Sequence, residues 1–289
     1  MSANGLSRRK FLKIGLFSAL GTATMGVGGF AYAHDLETNW VEVVRLPLTL
    51  PRLSPAFDGY RMAHISDIHM GTGMTASQLQ YIVELINAEQ PDLVAITGDF
   101  VTHRPVTANA PALMNALSQL TPTDGAVAVL GNHDHWTDPD AVRQMLQDSN
   151  VRELSNTVYT LRRGDAILHI AGTDDYWEDL ARLDDVLAQL PDGGAAILLE
   201  HEPDFADISS QTGRFDLQLS GHSHGGQVVV PFIGPLVLPT YGRKYPIGQY
   251  QVGNMIQYTN RGLGTIEPAV RFNCRPEITV FTLRAPTAT

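Results

Sequence analysis

One local pattern constrains this chain more than any other: a short apolar run that stops at an Asp, His or Asn. Met62-Ala63-His64-Ile65-Ser66 leads into Asp67-Ile68-His69, and Leu93-Val94-Ala95-Ile96-Thr97 leads into Gly98-Asp99. Ala126-Val127-Ala128-Val129-Leu130 leads into Gly131-Asn132-His133-Asp134. Ala196-Ile197-Leu198-Leu199-Glu200 ends at His201, and Asp216-Leu217-Gln218-Leu219-Ser220 ends at Gly221-His222-Ser223-His224. Such runs read as strands buried on both faces. A single polar residue after a strand is ordinarily a turn former or a helix cap. Five polar ends in succession point to one shared edge, because ligands of open α/β sheets collect at the carboxyl ends of the strands.

Helical patterns lie between several of these runs. Thr75-Ala76-Ser77-Gln78 reads as a capping box opening a helix that runs to about Glu89 and is stopped by Pro91. Further helices are expected over Ala110–Leu120, Pro139–Gln147 and Glu178–Leu190. Thr157–Leu161 and Ala166–Ala171, joined by Arg162-Arg163-Gly164-Asp165, predict a hairpin. From Gln227 onward the chain is Gly- and Pro-rich with short strands such as Ile278–Leu283, which predicts added antiparallel strands. The alternation of strands and helices gives an α/β fold with a largely parallel sheet. No repeat or low-complexity linker interrupts residues 34–289, which read as one domain.

Residues 1–33 differ. They carry Arg8, Arg9, Lys10 and Lys13 and no acid, then an apolar run from Ile14 that ends in the small-x-small site Ala31-Tyr32-Ala33. That is a basic region, an apolar region and a cleavage site. Ser7-Arg8-Arg9-Lys10-Phe11-Leu12-Lys13 closely resembles the twin-arginine export signal. The expectation is export through the twin-arginine translocation machinery to the periplasm or another extracytoplasmic space, with cleavage after Ala33. The alternative is an uncleaved anchor, since the run Ile14–Ala33 is long enough to span a bilayer.

Composition narrows the chemistry. The net charge is −10, and losing the four basic residues of the leader leaves 16 Lys and Arg against 30 acids, or −14. That argues against a nucleic-acid partner, which needs clustered cations for its phosphates. The one cysteine, Cys274, excludes an intramolecular disulfide framework, a thiolate zinc finger and a Cys-ligated iron–sulfur cluster. The ten histidines are the informative residues. Asp67, Asp99 and Asn132 offer oxygen, and His69, His201, His222 and His224 offer nitrogen. Such N/O donors suit zinc, manganese or iron, and seven are too many for one tetrahedral ion. Two divalent ions sharing one carboxylate account for all of them.

Asp-x-His, Gly-Asp, Gly-Asn-His-Asp, a lone His and Gly-His-x-His, in that order from Asp67 to His224, resemble the calcineurin-like metallophosphoesterase superfamily. Tyr241-Gly242-Arg243-Lys244-Tyr245-Pro246-Ile247-Gly248, Arg261-Gly262-Leu263-Gly264 and Arg271-Phe272-Asn273-Cys274-Arg275-Pro276-Glu277 resemble its exported bacterial YkuE/YaeI-type branch. The resemblance implies a sandwich of two mixed β-sheets flanked by helices. It implies that Asp67, His69 and His224 bind a first ion, that Asp99 bridges, and that Asn132, His201 and His222 bind a second. His133 would stand free of the metals as the acid for the leaving group. Two cations about 4 Å apart acidify a water and stabilise the charge of an in-line attack on phosphorus. The expected substrate is a phosphodiester or pyrophosphate-type bond in a small or lipid-linked ester at or near a membrane surface. Phosphomonoester hydrolysis on the same metal core is the alternative, and a non-catalytic metal-binding module the more distant one. Thr102 stands where purple acid phosphatases carry a ligand Tyr, and Phe100-Val101-Thr102-His103-Arg104 lacks the Asp-Arg-Gly of Ser/Thr protein phosphatases.

Other residues read more plainly. His64 and His169 lie within strands and read as packing, His135 as loop surface and His34 as tail. His103 falls close enough to Asp99 to support the site. Asp134 could orient a neighbour or cap a turn, and Asp174-Asp175 could end a further strand at the same edge. Cys274 reads as buried and inert. Arg243, Lys244, Arg261 and Arg271 are cations that could grip a phosphate or simply lie exposed.

Overall fold

The computed structural model describes residues 28–102 and 106–287. The leader motif therefore lies outside the described residues, as does His103. Residues 28–31 are helical and run into a π turn at Tyr32–Leu36 and a 3-10 turn at Glu37–Asn39. Among the described residues no helix is long and apolar enough to cross a membrane.

Two six-stranded sheets form the body. The first contains β1 (Glu42–Thr49), β2 (Arg61–Ile65), β3 (Leu93–Thr97), β4 (Ala126–Val129), β5 (Val151–Glu153) and β14 (Glu277–Arg284), in the order β1-β14-β2-β3-β4-β5. The second contains β6 (Thr157–Arg163), β7 (Ala166–Gly172), β8 (Ala195–Leu199), β9 (Leu217–Ser220), β12 (Gly248–Val252) and β13 (Met255–Thr259), in the order β12-β13-β9-β8-β7-β6. Both are mixed. β2, β3, β4 and β5 run parallel, while β14 pairs antiparallel with β2. β7, β8, β9 and β13 run parallel, flanked by antiparallel β6 and β12. A two-stranded ribbon, β10 (Val229–Val230) with β11 (Gly234–Pro235), stands apart.

Strand alternation explains why the apolar runs are continuous. In β3, Leu93 and Ala95 enter the core between the sheets, and Val94 and Ile96 enter the core under the helices. In β8, Ala195, Ile197 and Leu199 face the first sheet while Ala196 and Leu198 face outward onto a third cluster. With side chains of period two and both faces covered, successive positions are apolar instead of alternating with polar ones. The helices α1 (Ala76–Ala88), α2 (Val106–Leu117) and α4 (Pro139–Asp148) cover the first sheet through Leu79, Leu113 and Val142. The short α3 (Asn132–Thr137) follows β4, and α5 (Leu183–Gln189) and α6 (Ala206–Ser209) flank the second sheet.

The expected sandwich of two mixed sheets is what forms, and the Thr75 capping box closes as read, with Gln78 N donating to Thr75 Oγ1 and Thr75 N to Gln78 Oε1. Three boundaries differ. α2 starts before Ala110 and ends at Leu117, because Gln119 and Leu120 tighten into a turn by bonding three residues back, to Ala116 and Leu117. The helix expected from Glu178 starts only at Leu183. Asn156 holds the preceding loop, its Oδ1 accepting from Asp174 N and Arg182 N and its Nδ2 donating to Leu180 O. Gly131-Asn132-His133-Asp134 opens a helix where a turn was expected. From Gln227 onward the expected antiparallel pairing appears in the β10–β11 ribbon, in β12 on β13 and in β14 on β2, whereas β13 runs parallel to β9 and β14 parallel to β1.

Arg271 is fully buried, and its guanidinium is spent on backbone. Nε donates to Gly264 O, Nη1 to Cys274 O, and Nη2 to Arg261 O, Gly262 O and Gly264 O. These bonds fold the loop after β13 against Asp67 and Ile68, where Leu263 N bonds Ser66 O and Gly264 N bonds Asp67 O. A buried carbonyl that loses its donor costs about 1–3 kcal/mol. Arg271→Met should therefore lower unfolding free energy by on the order of 3 kcal/mol, read as a shift in the denaturant midpoint with unchanged slope.

Candidate metal centre

The carboxyl ends of β2, β3, β4, β8 and β9 meet at one edge of the sandwich, where each hands over a polar residue. The backbone turns sharply to present them. Asp67, His69, Asp99, His222 and His224 all sit at positive φ, between 49° and 67°. Side chains other than glycine avoid this region, though Asn, Asp and His tolerate it best, and such residues concentrate at functional sites. Gly98, at φ 84°, permits a close approach: a Cβ there would lie 2.6 Å from Gly131 N and 2.7 Å from His201 Nδ1.

The turns are tied to one another. Asp67 N bonds Gly98 O at 3.0 Å, His69 N bonds Asp99 O at 2.9 Å, and His222 N bonds both Asp67 carboxylate oxygens at 3.1 Å. His133 N donates to Asp99 Oδ1 at 2.9 Å. Asp134 both caps and orients. Its carboxylate accepts from the backbone N–H groups of Asp99, Phe100, Val101 and Gly131, locking the end of β3 to the start of α3. Burial pushes the Asp134 carboxyl up to about 7, with the charge of Asp99 adding to it, and these N–H donors pull the other way.

The donor atoms then converge. Ligand atoms of Asp67, His69 and His224 lie within 4.8 Å of one another, as do those of Asp67, Asp99 and His201 and those of His69, Asp99 and His133. Asp99 thus belongs to the neighbourhoods of both His69 and His201, its Oδ2 lying 3.4 Å from His69 Nε2 and 3.2 Å from His201 Nε2. His69 Nε2 and His224 Nε2 face each other at 3.0 Å. His201 Nδ1 donates to Thr97 O at 2.6 Å and His222 Nε2 to Thr240 O at 2.8 Å, since a carbonyl can only accept. In its neutral form each ring therefore turns its other nitrogen, as a lone pair, toward the cluster. His69 is oriented likewise by Thr102 Oγ1 at 2.9 Å from Nδ1. Such outer partners fix the tautomer of metal-binding imidazoles.

Several donors have nothing to bond. Asn132 Oδ1 and His201 Nε2 are buried without a hydrogen-bond partner. Buried polar atoms are rarely left so, and an ion is one of the few things that satisfies oxygen and nitrogen lone pairs together. The set fits divalent cations on that ground. The electrostatics agree. Loss of water pulls His69 and His222 down to about 3 and His224 well below its ordinary value, which keeps these rings in the neutral, metal-binding form. The same desolvation pushes the Asp67 carboxyl up to about 7, with the charge of His201 opposing and that of Asp99 adding. Desolvation also opposes charge on Asp99 and His201, but their mutual attraction wins and holds Asp99 well below, and His201 well above, its usual range.

All eight sequence-predicted site residues come to this edge: Asp67, His69, Asp99, Asn132, His133, His201, His222 and His224. His64 and His169 bond Thr97 Oγ1 and Thr160 Oγ1 within their sheets, as packing residues do. His135 is tied down where a loop surface was expected: its Nε2 lies 2.7 Å from Asp174 Oδ1, and Arg143 holds the other oxygen of that carboxylate. Cys274 is buried and its thiol donates to His224 O. Of the four cations weighed as phosphate grips, Arg271 is buried in carbonyls, Arg261 pairs with Glu42 and Glu277, Lys244 pairs with Asp207, and Arg243 is exposed. Glu202 was not anticipated, yet it groups with His201 and His222 within 4.8 Å. An acid next to a histidine has no distinguishing pattern. Trp136 was missed although its spacing carried a signal, since i and i+3 share a helix face and its ring lies 4.8 Å from that of His133.

A model of the calcineurin-like phosphoesterase family matches residues 60–226, which contain every one of these eight side chains. Over 284 residues the chain is 37% identical to the uncharacterized metallophosphoesterase YkuE of Bacillus subtilis (strain 168), covering 97% of this chain and 98% of that one. It is 29% identical to phosphodiesterase YaeI of Escherichia coli (strain K12), covering 96% and 99%. Among solved structures, the protein TT1561 of Thermus thermophilus aligns over 71% of this chain and 90% of its own with a TM-score of 0.48 and 15% identity. On the family match and the relative at 37% identity, the chain belongs to the calcineurin-like phosphoesterase family.

Proposed function

We propose that this protein hydrolyses a phosphodiester or pyrophosphate-type bond using two divalent metal ions, zinc, manganese or iron. The observation that carries this reading is the apposition of seven N/O donors, among them buried atoms whose only available partner is one another or an ion. Asp67, His69 and His224 would hold one ion and Asn132, His201 and His222 the other, with Asp99 reaching both. Ions held there supply Lewis acidity, drawing charge from phosphoryl oxygens and lowering the pKa of water. The likeness to the phosphodiesterase YaeI favours the diester over the monoester.

The chain's own contribution is orientation and proton transfer. The carbonyls of Thr97 and Thr240 select which nitrogen of His201 and His222 carries the proton, and the Thr102 hydroxyl orients His69. Asp134 and Gly98 hold the Asp99 turn where one carboxylate reaches two neighbourhoods. His133 lines the cavity that opens onto the donors, with its ring edge-on to His69 at 4.8 Å and its backbone fixed on Asp99. It is placed to give a proton to the departing oxygen as the phosphorus–oxygen bond breaks. Positioned acids of this kind contribute about 10²–10⁴-fold. The leader residues support export by the twin-arginine route, which delivers folded, metal-loaded chains and suits a protein with a single, buried cysteine.

Asp99→Ala should cost more turnover, and more bound metal, than either His69→Ala or His224→Ala. Elemental analysis beside rate measurements checks this; an Asp99→Ala protein with two metals and normal turnover would contradict the shared carboxylate. His133→Ala should slow an alkyl ester at least about tenfold more than a nitrophenyl ester, because only the poor leaving group needs the proton. Equal losses would assign His133 to binding. Replacing Arg8 and Arg9 together by Lys should leave active enzyme inside the cell, and fractionation with mass spectrometry of any exported form checks both export and cleavage after Ala33.

A further inference from the structure

A cavity of about 460 Å³ opens directly from the donor cluster. Asp99, His133, His222 and His224 form its floor, and Trp136, Trp177, Leu236, Val237, Pro239 and Ile266 form its walls. Among the described residues that line it there is no Lys or Arg, and the one charged side chain away from the floor is Glu267. A leaving group rich in phosphate would find no partner on these walls. A hydrocarbon would displace water from apolar surface.

The outer rim continues the same chemistry. Residues 228–239, Val-Val-Val-Pro-Phe-Ile-Gly-Pro-Leu-Val-Leu-Pro, contain no polar side chain. They build the β10–β11 ribbon, whose tip leaves Phe232 wholly exposed and Ile233 75% exposed. Leu236 and Val237 serve both surfaces, lining the cavity while remaining 58% and 76% exposed. A contiguous exposed apolar stretch of this kind marks an interaction site. Its position says which one. Val229 N bonds Phe272 O, Arg271 N bonds Ala33 O, and Tyr32 packs edge-on against Phe272. The ribbon thus stands beside Tyr32 and Ala33, with which the apolar run of the sequence from Ile14 ends.

We propose that the ribbon dips into a lipid surface and that the cavity takes the hydrocarbon of an amphiphilic phosphate ester drawn from that surface, with its phosphate at the donor cluster. This rests on the hydrolase reading for the phosphate end only. The chain carries −10, and −14 without its leader, so attraction to anionic headgroups is not the driving force. Contact is apolar and should survive high salt.

Two measurements on the full chain test this. An environment-sensitive fluorophore on an Ile233→Cys variant reports the ribbon tip, since Cys274 is buried and does not compete for label. With phosphatidylcholine vesicles in high salt, the label should shift to the blue and be quenched by lipids bearing a nitroxide on the acyl chain. This readout is independent of any anchoring by the leader. A label that stays in water, whether or not the protein floats with the vesicles, overturns the proposal. In the second arm, n-alkyl phosphonates of increasing length are titrated against the metal-loaded protein and followed by Trp136 and Trp177 fluorescence. Affinity should rise about fourfold per methylene until the cavity is filled, and Ile266→Asp should flatten the series. A flat series in the unaltered protein also overturns it. Turnover of bis(4-nitrophenyl) phosphate separates the two readings. If that soluble diester is cleaved while either arm fails, the lipid proposal falls and the hydrolase stands. If both arms succeed and no ester is cleaved, the hydrolase reading falls and the lipid surface stands.

Discussion

Two carboxylates and four imidazoles crowd a desolvated volume at the meeting edge of two sheets, and the rest of the chain is arranged to keep them there. Apposition of this kind is unfavourable for the bare polypeptide. Neutral rings face one another, as His69 and His224 do, and Asp99 and His201 are held as an ion pair at a burial that opposes both charges. Residues at positive φ add strain of about 1 kcal/mol or more each. Stability elsewhere must offset this, and it comes from the apolar layers between the sheets and beneath the helices.

The same layers set the geometry. β2, β3 and β4 run parallel in one sheet and β8 and β9 in the other, so all five carboxyl ends leave the sandwich on the same side. Backbone groups freed at those ends bond across the gap. Asp67 takes the N–H of His222 from the opposite sheet, and His201 gives its Nδ1–H to Thr97. The site is therefore a seam, and its two halves cannot be displaced without breaking hydrogen bonds that also orient the imidazoles.

Outside the seam, the apolar cavity and ribbon are unusual in a chain with so many surface acids. An acidic exterior keeps polyanions away, while the cavity walls carry no cation among the described residues. Binding specificity toward the non-phosphate part of a substrate then falls to shape and dehydration. Trp136 and Trp177, packed edge-on with ring centres 5.4 Å apart, shape that wall, and Trp177 also meets the ring of His222.

The donor set and the strand framework were legible in the sequence for the same reason. A strand buried on both faces is apolar along most of its length, so the ligand-type residue that follows it stands out, and its chemistry can be read without coordinates. Asp67, Asp99, Asn132, His201 and His222 are of this kind. Helix α1 was legible because its cap and its stop are local. The late start of α5 was not, since it depends on Asn156, distant in sequence from Arg182 and bonded to it only after folding. The fate of the cations was equally hidden. Nothing local separates Arg271, which holds a loop by its carbonyls, from an arginine free to bind phosphate. The threonine partners of the histidines are likewise contacts between residues far apart in sequence. Composition and periodicity report what each segment must bury and what chemistry it can offer; which of those groups meet is decided by strand order and register, because hydrogen bonds and desolvation act between neighbours in space.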